Sequence, residues 1–162
     1  IVNNKSDYEK FVSIGKLLGN LHLNYENQKK YHLEITNSAP DNIKKSKIKN
    51  YAIDEIKFNR INGKKDLSSI IYNEYINIKN IPVEAYKYII NGKSPVEWVV
   101  DRYKKTIDKK SKTHNDPNSF SLETENNPTY ILELIQKIIT VSIETQKLIN
   151  KLPKLNNNIL TK

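Results

Sequence analysis

Apolar positions along this chain follow helical spacing in four stretches and strand-like spacing in three. From Phe11, the positions Val12, Gly15, Leu18, Gly19 and His22 keep helical register behind Ser6-Asp7-Tyr8-Glu9, which has the form of a capping box. This spacing predicts a helix over 7–22. Gly15 and Gly19 sit on one face of it, where each costs about 1 kcal/mol against Ala. That cost implies close approach of another backbone. His22 has no partner ligands in the pattern and reads as a packed or capping histidine. Tyr31 to Ile35 predicts a short strand, and Ser38 to Asn50 a long loop whose lysines are mobile. Tyr51 to Ile61 and Ser69 to Ile78 read as two strands of a hairpin joined through Asn62-Gly63, a turn dipeptide.

The stretch Tyr86 to Tyr103 carries the densest signals. Pro82 starts a short helix over 83–90, and Asn91-Gly92 turns the chain, since both residues tolerate positive φ. Ser94-Pro95-Val96-Glu97 is a capping box with proline at the first helical position. Val96, Val99, Val100 and Tyr103 then form one apolar face of a helix ending near Thr106. Trp98, the single tryptophan, lies off that face; it either packs a second element or meets Arg102 in a cation–π contact. Residues 107–126 read as a polar loop in which Asn115-Asp116-Pro117-Asn118 makes local turns. Asn127 caps and Pro128 opens the longest helix, to Leu152. Ile131, Leu134, Ile135, Ile138, Val141, Ser142, Thr145, Leu148, Ile149 and Leu152 keep its register, a rod of roughly 35 Å. Pro153 stops it, and 154–162 reads as a frayed tail. The expected fold is α+β: a small antiparallel sheet or hairpin packed with several helices, with a long amphipathic C-terminal helix. Residues 1–153 form one domain.

Tyr88-Ile-Ile-Asn-Gly-Lys-Ser-Pro-Val-Glu-Trp-Val-Val-Asp-Arg-Tyr103 resembles the C-terminal region of type ISP restriction–modification enzymes and related helicase-like proteins. Four further stretches resemble the same family in the same order: Gly19 to Glu26, Ile81 to Tyr86, Asn115 to Asn118 and Ile139 to Thr145. Lys112 stands where the family pattern carries a small glycine. Members of that family are long single polypeptides holding a nuclease, a DEAD/DEAH-type translocase, an adenine-N6 methyltransferase and a C-terminal target-recognition domain. The resemblance therefore implies a target-recognition domain, with the methyltransferase and helicase domains of the same chain as partners. S-adenosylmethionine, ATP and magnesium would be bound by those other domains and none by this one. A bacterial cytoplasm is the implied location. The sequence has no methionine, even at position 1, which also reads as a piece of a longer polypeptide.

Charge adds a candidate surface. The 162 residues carry 27 Lys and Arg against 18 Asp and Glu, a formal charge of +9. A genome biased toward Lys, Asn and Ile codons would give a high isoelectric point without any function. The excess is not uniform, however. Residues 41–65 hold eight basic and three acidic residues, and 102–112 hold six against one. Such clustering points to a surface facing a polyanion. The hairpin tip carries Arg60, Lys64 and Lys65, and a two-stranded ribbon fits a major groove. The candidate DNA-binding set is Lys57, Arg60, Lys64, Lys65, Arg102, Lys104, Lys105, Lys109 and Lys110. The two arginines are the base-reading candidates, because a guanidinium bonds guanine bidentately, and the lysines would neutralise phosphates.

Catalytic patterns are missing. There is no GxxxxGK[ST] loop, HExxH, GxSxG or CxxC, and Asn127-Pro128-Thr129-Tyr130 reads as a helix cap rather than a methyltransferase Asn-Pro-Pro-Tyr element. Asp54 and Glu55 fall on opposite faces of the expected strand, and Asp101 and Asp108 lie among lysines. No metal site and no catalytic centre are expected, and no apolar run reaches the length of a membrane span. Three other readings remain open: a module that docks the methyltransferase and coupler, favoured by an exposed apolar patch on the long helix; a non-specific nucleic-acid-binding piece of a helicase, favoured by Tyr72 and Tyr75 stacked on an exposed sheet; and an unrecognised hydrolase.

Overall fold

A computed structural model describes residues 4–154. The frayed tail expected at 154–162 therefore lies almost wholly outside the described residues. Helix α1 (Lys5–Leu23) leads through a 3-10 turn at Tyr25–Asn27 to strand β1 (Glu34–Asn37). Two short helices follow, α2 (Asp41–Lys44) and α3 (Lys47–Tyr51). Strands β2 (Lys57–Ile61), β3 (Lys64–Ile71) and β4 (Ile76–Lys79) complete an antiparallel sheet of order β1-β4-β3-β2. A 3-10 turn at Val83–Tyr86 precedes α4 (Pro95–Arg102). A two-residue ladder pairs β5 (Thr106–Ile107) with β6 (His114–Asn115). Helix α5 (Pro117–Ser119) runs into a π-helical turn, and α6 (Tyr130–Ile149) closes the fold.

The core forms where the sheet meets α4 and α6. Ile70, Ile76 and Ile78 from the sheet, Val96 and Val100 from α4, and Ile131, Ile135 and Ile139 from α6 are all essentially inaccessible to solvent. Alternating Ile76 and Ile78 turn inward because successive strand residues face opposite sides of a sheet. Ile139 and Leu132, buried on α6, lie outside the stripe read from the sequence, while Ile138 is half-buried and Ile149 exposed. The helix therefore meets core on a broader face near its start and a narrower one near its end.

Asparagine side chains do much of the joining. Asn73, 5% exposed, donates from Nδ2 to the carbonyls of Asn50 and Ala52, each at 2.9 Å. Its Oδ1 accepts from the Tyr75 and Ile76 amides. The expected strand over 69–78 is therefore two strands, broken where this amide fixes a turn. Asn118 brackets Ile53, accepting from its amide at 2.7 Å and donating to its carbonyl at 2.9 Å. The chain from Ala52 to Ile56 is thus tied down without joining a sheet, so the expected strand over 51–61 begins only at Lys57. Among the described residues, four of the five non-glycine residues at positive φ are Asn62, Asn80, Asn91 and Asn126, where a short side chain tolerates the left-handed region.

Several local expectations change. Asn4, not Ser6, caps α1, its Oδ1 accepting from the Asp7 amide at 2.7 Å. Nothing approaches Gly15 or Gly19 within 4 Å of where a Cβ would stand, so their spacing marks no backbone contact. His22 bonds Thr145 Oγ1 at 2.9 Å and stacks on Tyr88, tying α1 to α6. The expected loop over 38–50 holds two short helices, the second capped by Ser46. The short helix at 83–90 is one 3-10 turn, after which Ile90 and Lys93 bridge around Asn91-Gly92. The polar loop at 107–126 contains the β5–β6 hairpin, with Lys112 at φ 56 in the glycine-like position.

Candidate nucleic-acid interface

The α4 cap forms as its residues dictate. Ser94 Oγ accepts from the Glu97 amide at 3.3 Å, and Glu97 Oε2 accepts from the Ser94 amide at 3.0 Å. The same carboxylate reaches outward, because Glu97 Oε1 accepts from Lys65 Nζ on β3 at 2.9 Å. Burial raises the Glu97 pKa, but the Lys65 and Ser94 hydrogen bonds outweigh it and hold the carboxyl below its ordinary value. One glutamate thus joins the helix start to the hairpin.

Between β2 and α4 lies a cleft of about 540 Å³, lined by Lys57, Phe58, Asn59, Arg60, Lys65 and Lys104 with Glu55, Ile71, Val100 and Asp101. Four cations face two carboxylates there. Lys65 Nζ lies 5.0 Å from the Phe58 ring centroid. Asp101 bonds Lys93 and Lys104, and these two lysines lower its pKa. Lys57 pairs with Glu55 at 2.6 Å. Lys105, just beyond, bonds Asp54 at 2.9 Å and approaches Asp116 at 3.7 Å, and the Asp54 bond raises its pKa. Asp54 and Glu55 are therefore lysine partners on an irregular segment rather than members of a strand.

The sequence-predicted cations divide by place and by pairing. Lys57, Arg60, Lys65 and Lys104 converge on the cleft, with Lys105 beside it. Lys64 lines a separate hollow on the other side of the hairpin, with Ile81, Val83 and Tyr86. Lys109 and Lys110 sit on the β5–β6 hairpin, and the carboxylate of Asp108 accepts the Lys110 and Ser111 amides there. Arg102 leaves α4 on its other edge. It lines an apolar groove with Tyr25, Ile90, Trp98, Tyr103 and Ile138 and does not join the cleft. Among the described residues, Arg60, Lys64, Arg102, Lys109 and Lys110 have no ion-pair partner, whereas Lys57, Lys65 and Lys104 each have one and Lys105 has two.

Other expectations are corrected here. Trp98 is 42% exposed, its indole donates to the Ile90 carbonyl at 2.8 Å, and the cation over it is Lys93 rather than Arg102. Tyr72 is fully buried and bonds the Tyr51 carbonyl, so it forms no stacking platform. Sequence reasoning missed Asn59, Phe58 and the two carboxylates of α4. The capping box was the one available signal for Glu97, and its second role depends on a residue 32 positions away.

The model for the Type ISP C-terminal specificity domain matches residues 1–134. No curated protein matches. Among solved structures, the chain is similar to a nuclease-deletion mutant of the Type ISP restriction–modification enzyme LlaGI in complex with a DNA substrate mimic, at 44% identity and TM-score 0.73 over 90% of this chain. It is also similar to the ATP-dependent Type ISP restriction–modification enzyme LlaBIII bound to DNA, at 41% identity and TM-score 0.75 over 90% of this chain. A DrdV–DNA complex shares the fold at 24% identity and TM-score 0.66, again over 90% of this chain. The chain spans only 12%, 9% and 14% of the length of those three chains.

Proposed function

The chain belongs to the Type ISP C-terminal specificity domain family, and from that premise we propose that the surface around its β2–α4 cleft contacts duplex DNA and recognises a target sequence for a restriction–modification enzyme of which it is one part. The observation that carries the reading is the convergence of Lys57, Arg60 and Lys65 from the hairpin with Lys104 from beyond α4 in one concavity. Lys57, Lys65 and Lys104 lie on its sides, where they neutralise phosphates and set register. Their carboxylate partners do not block this role, since exposed ion pairs are worth at most about 1 kcal/mol and a phosphate can take their place. The domain supplies recognition and no chemistry. Nuclease, translocase and methyl-transfer steps, with ATP, magnesium and S-adenosylmethionine, belong to other parts of the polypeptide, in the bacterial cytoplasm. Measuring affinity for randomised duplexes at several salt concentrations tests this reading. Affinity falls steeply with salt if several phosphates are neutralised, and a flat dependence contradicts it.

The docking reading keeps a place on the opposite edge of α4. Trp98, Tyr103 and Arg102 around an apolar groove are the residue types that anchor protein interfaces, and this edge faces the adjoining methyltransferase or coupler domain. A salt-independent association with that domain, lost in Trp98→Ala while duplex affinity holds, separates the two faces.

A further inference from the structure

We propose that Asn59 is a specificity-determining residue that reads adenine, beside Arg60 reading guanine, so that the recognised sequence holds an adenine next to or one base pair from a guanine. This inference rests on the DNA-binding reading of the cleft and assigns its specificity to two side chains.

The argument begins with which cleft groups are already satisfied. Lys57 is bonded to Glu55, Lys65 to Glu97 and Lys104 to Asp101. These groups meet a carboxylate through a point charge, and a phosphate offers them the same chemistry, so they contribute affinity without sequence preference. Two polar side chains of the cleft differ. Arg60 donates one bond, from Nη1 to the Gly63 carbonyl at 2.9 Å, and has no carboxylate partner among the described residues. That bond fixes the guanidinium relative to the turn and leaves its other donors free. Asn59 is half-buried, lines the cleft, and makes no side-chain hydrogen bond among the described residues.

Asn77 on β4 is likewise half-buried without a side-chain bond among the described residues, but Asn59 is the one carboxamide that lines the cleft. Asn37, Asn73, Asn80, Asn115, Asn118 and Asn127 all spend their amides on the fold. Asparagine is also disfavoured in strands, so its presence in β2 brings no benefit to the sheet. A free carboxamide offers one acceptor and two donors, the complement of adenine N7 and N6 in the major groove, while a guanidinium complements guanine O6 and N7. Successive strand side chains leave opposite faces, so Asn59 and Arg60 flank the exposed edge strand β2 while both line the cleft. Their Cα atoms, about 3.8 Å apart, are offset by about one base step of ~3.4 Å, which places their targets on neighbouring base pairs.

The test selects bound duplexes from a randomised library with the whole chain, then repeats the selection with Asn59→Ala, Asn59→Asp and Arg60→Ala. Wild type enriches adenine close to guanine. N59A loses about tenfold discrimination at the adenine position alone and keeps its salt dependence. N59D shifts that position toward cytosine, because a carboxylate accepts from cytosine N4. R60A relaxes the guanine position. Unchanged selection by N59A, in a variant that still binds duplex, overturns the assignment and leaves the DNA reading standing. A wild-type chain with no affinity for duplex at low salt overturns both.

Discussion

Arg60 and Lys65 stand directly opposite each other across the β2–β3 pair. Like charges at such positions repel and weaken a hairpin. The fold relieves one partner by placing Lys65 against Glu97 and over the Phe58 ring. Arg60 receives only a carbonyl. A bound anion removes the remaining repulsion. Duplex DNA, or inorganic phosphate at millimolar concentration, is therefore expected to raise the melting temperature of the wild-type chain. The rise should be smaller in Arg60→Ala, as followed by circular dichroism.

Glu97 makes stability depend on acid. Its folded pKa lies below the ordinary 4.5, so its contribution is present above that value and is lost as pH falls through the depressed folded pKa. Glu97→Gln should flatten the stability profile across this acidic window. The same change frees Lys65 and leaves duplex affinity equal or higher. Urea denaturation at a series of pH values checks the first expectation, and a binding titration the second.

Tyr86 carries the one buried side-chain polar atom without a hydrogen-bond partner among the described residues. Burial raises its pKa, with Glu97 and Asp66 adding to the effect. An unsatisfied buried hydroxyl costs about 1–3 kcal/mol, so Tyr86→Phe should stabilise the domain, by an amount on the order of 1 kcal/mol. Chemical denaturation measures it. A destabilised variant would mean that the hydroxyl has a partner in solution.

Asn118 and Asn73 hold the irregular segment ahead of β2. Asn118→Ala removes both bonds to Ile53 and leaves its backbone groups without protein partners, which should cost about 2 kcal/mol. Asn73→Ala breaks four bonds at a buried site and should cost more. Hydrogen exchange at the Ile53 amide should rise in Asn118→Ala well before global unfolding.

Lys112 occupies the left-handed region at φ 56 on the exposed β5–β6 hairpin. A non-glycine residue there carries strain of about 1 kcal/mol. Lys112→Gly should relieve it and raise the melting temperature slightly, while leaving duplex affinity nearly unchanged. A marked loss of affinity would place Lys112 itself among the phosphate contacts.

Local signals in the sequence foretold local structure. The Ser94–Glu97 box, Pro95 at the first helical position, Asn62-Gly63 and Asn91-Gly92 all form as their residue chemistry requires, because each depends on atoms only a few positions apart. The 3.6-residue periodicity likewise gave the long helix, expected from Pro128 to Leu152 behind an Asn127 cap and found over Tyr130–Ile149 with Thr129 at its N-cap. Some misreadings were themselves local, as where Asn4 rather than Ser6 caps α1, but the two strand misreadings came where a distant side chain intervened. An alternating run at 69–78 looks like one strand until Asn73 reaches the carbonyls of Asn50 and Ala52. The segment 51–56 looks like strand until Asn118, 65 positions on, takes its backbone bonds. Charge clustering marked the cations but could not sort them.

By itself, then, the sequence determined the α+β class, the helix and turn boundaries that rest on near neighbours, and a cationic character concentrated in two segments. Tertiary structure decided which cations meet. The helical register of α4 sends Asp101 to the cleft and Arg102 to the apolar groove, although they are adjacent residues. Successive positions on a helix lie about 100° apart around its axis. Only packing against β2 on one side and α6 on the other turns that rotation into two surfaces.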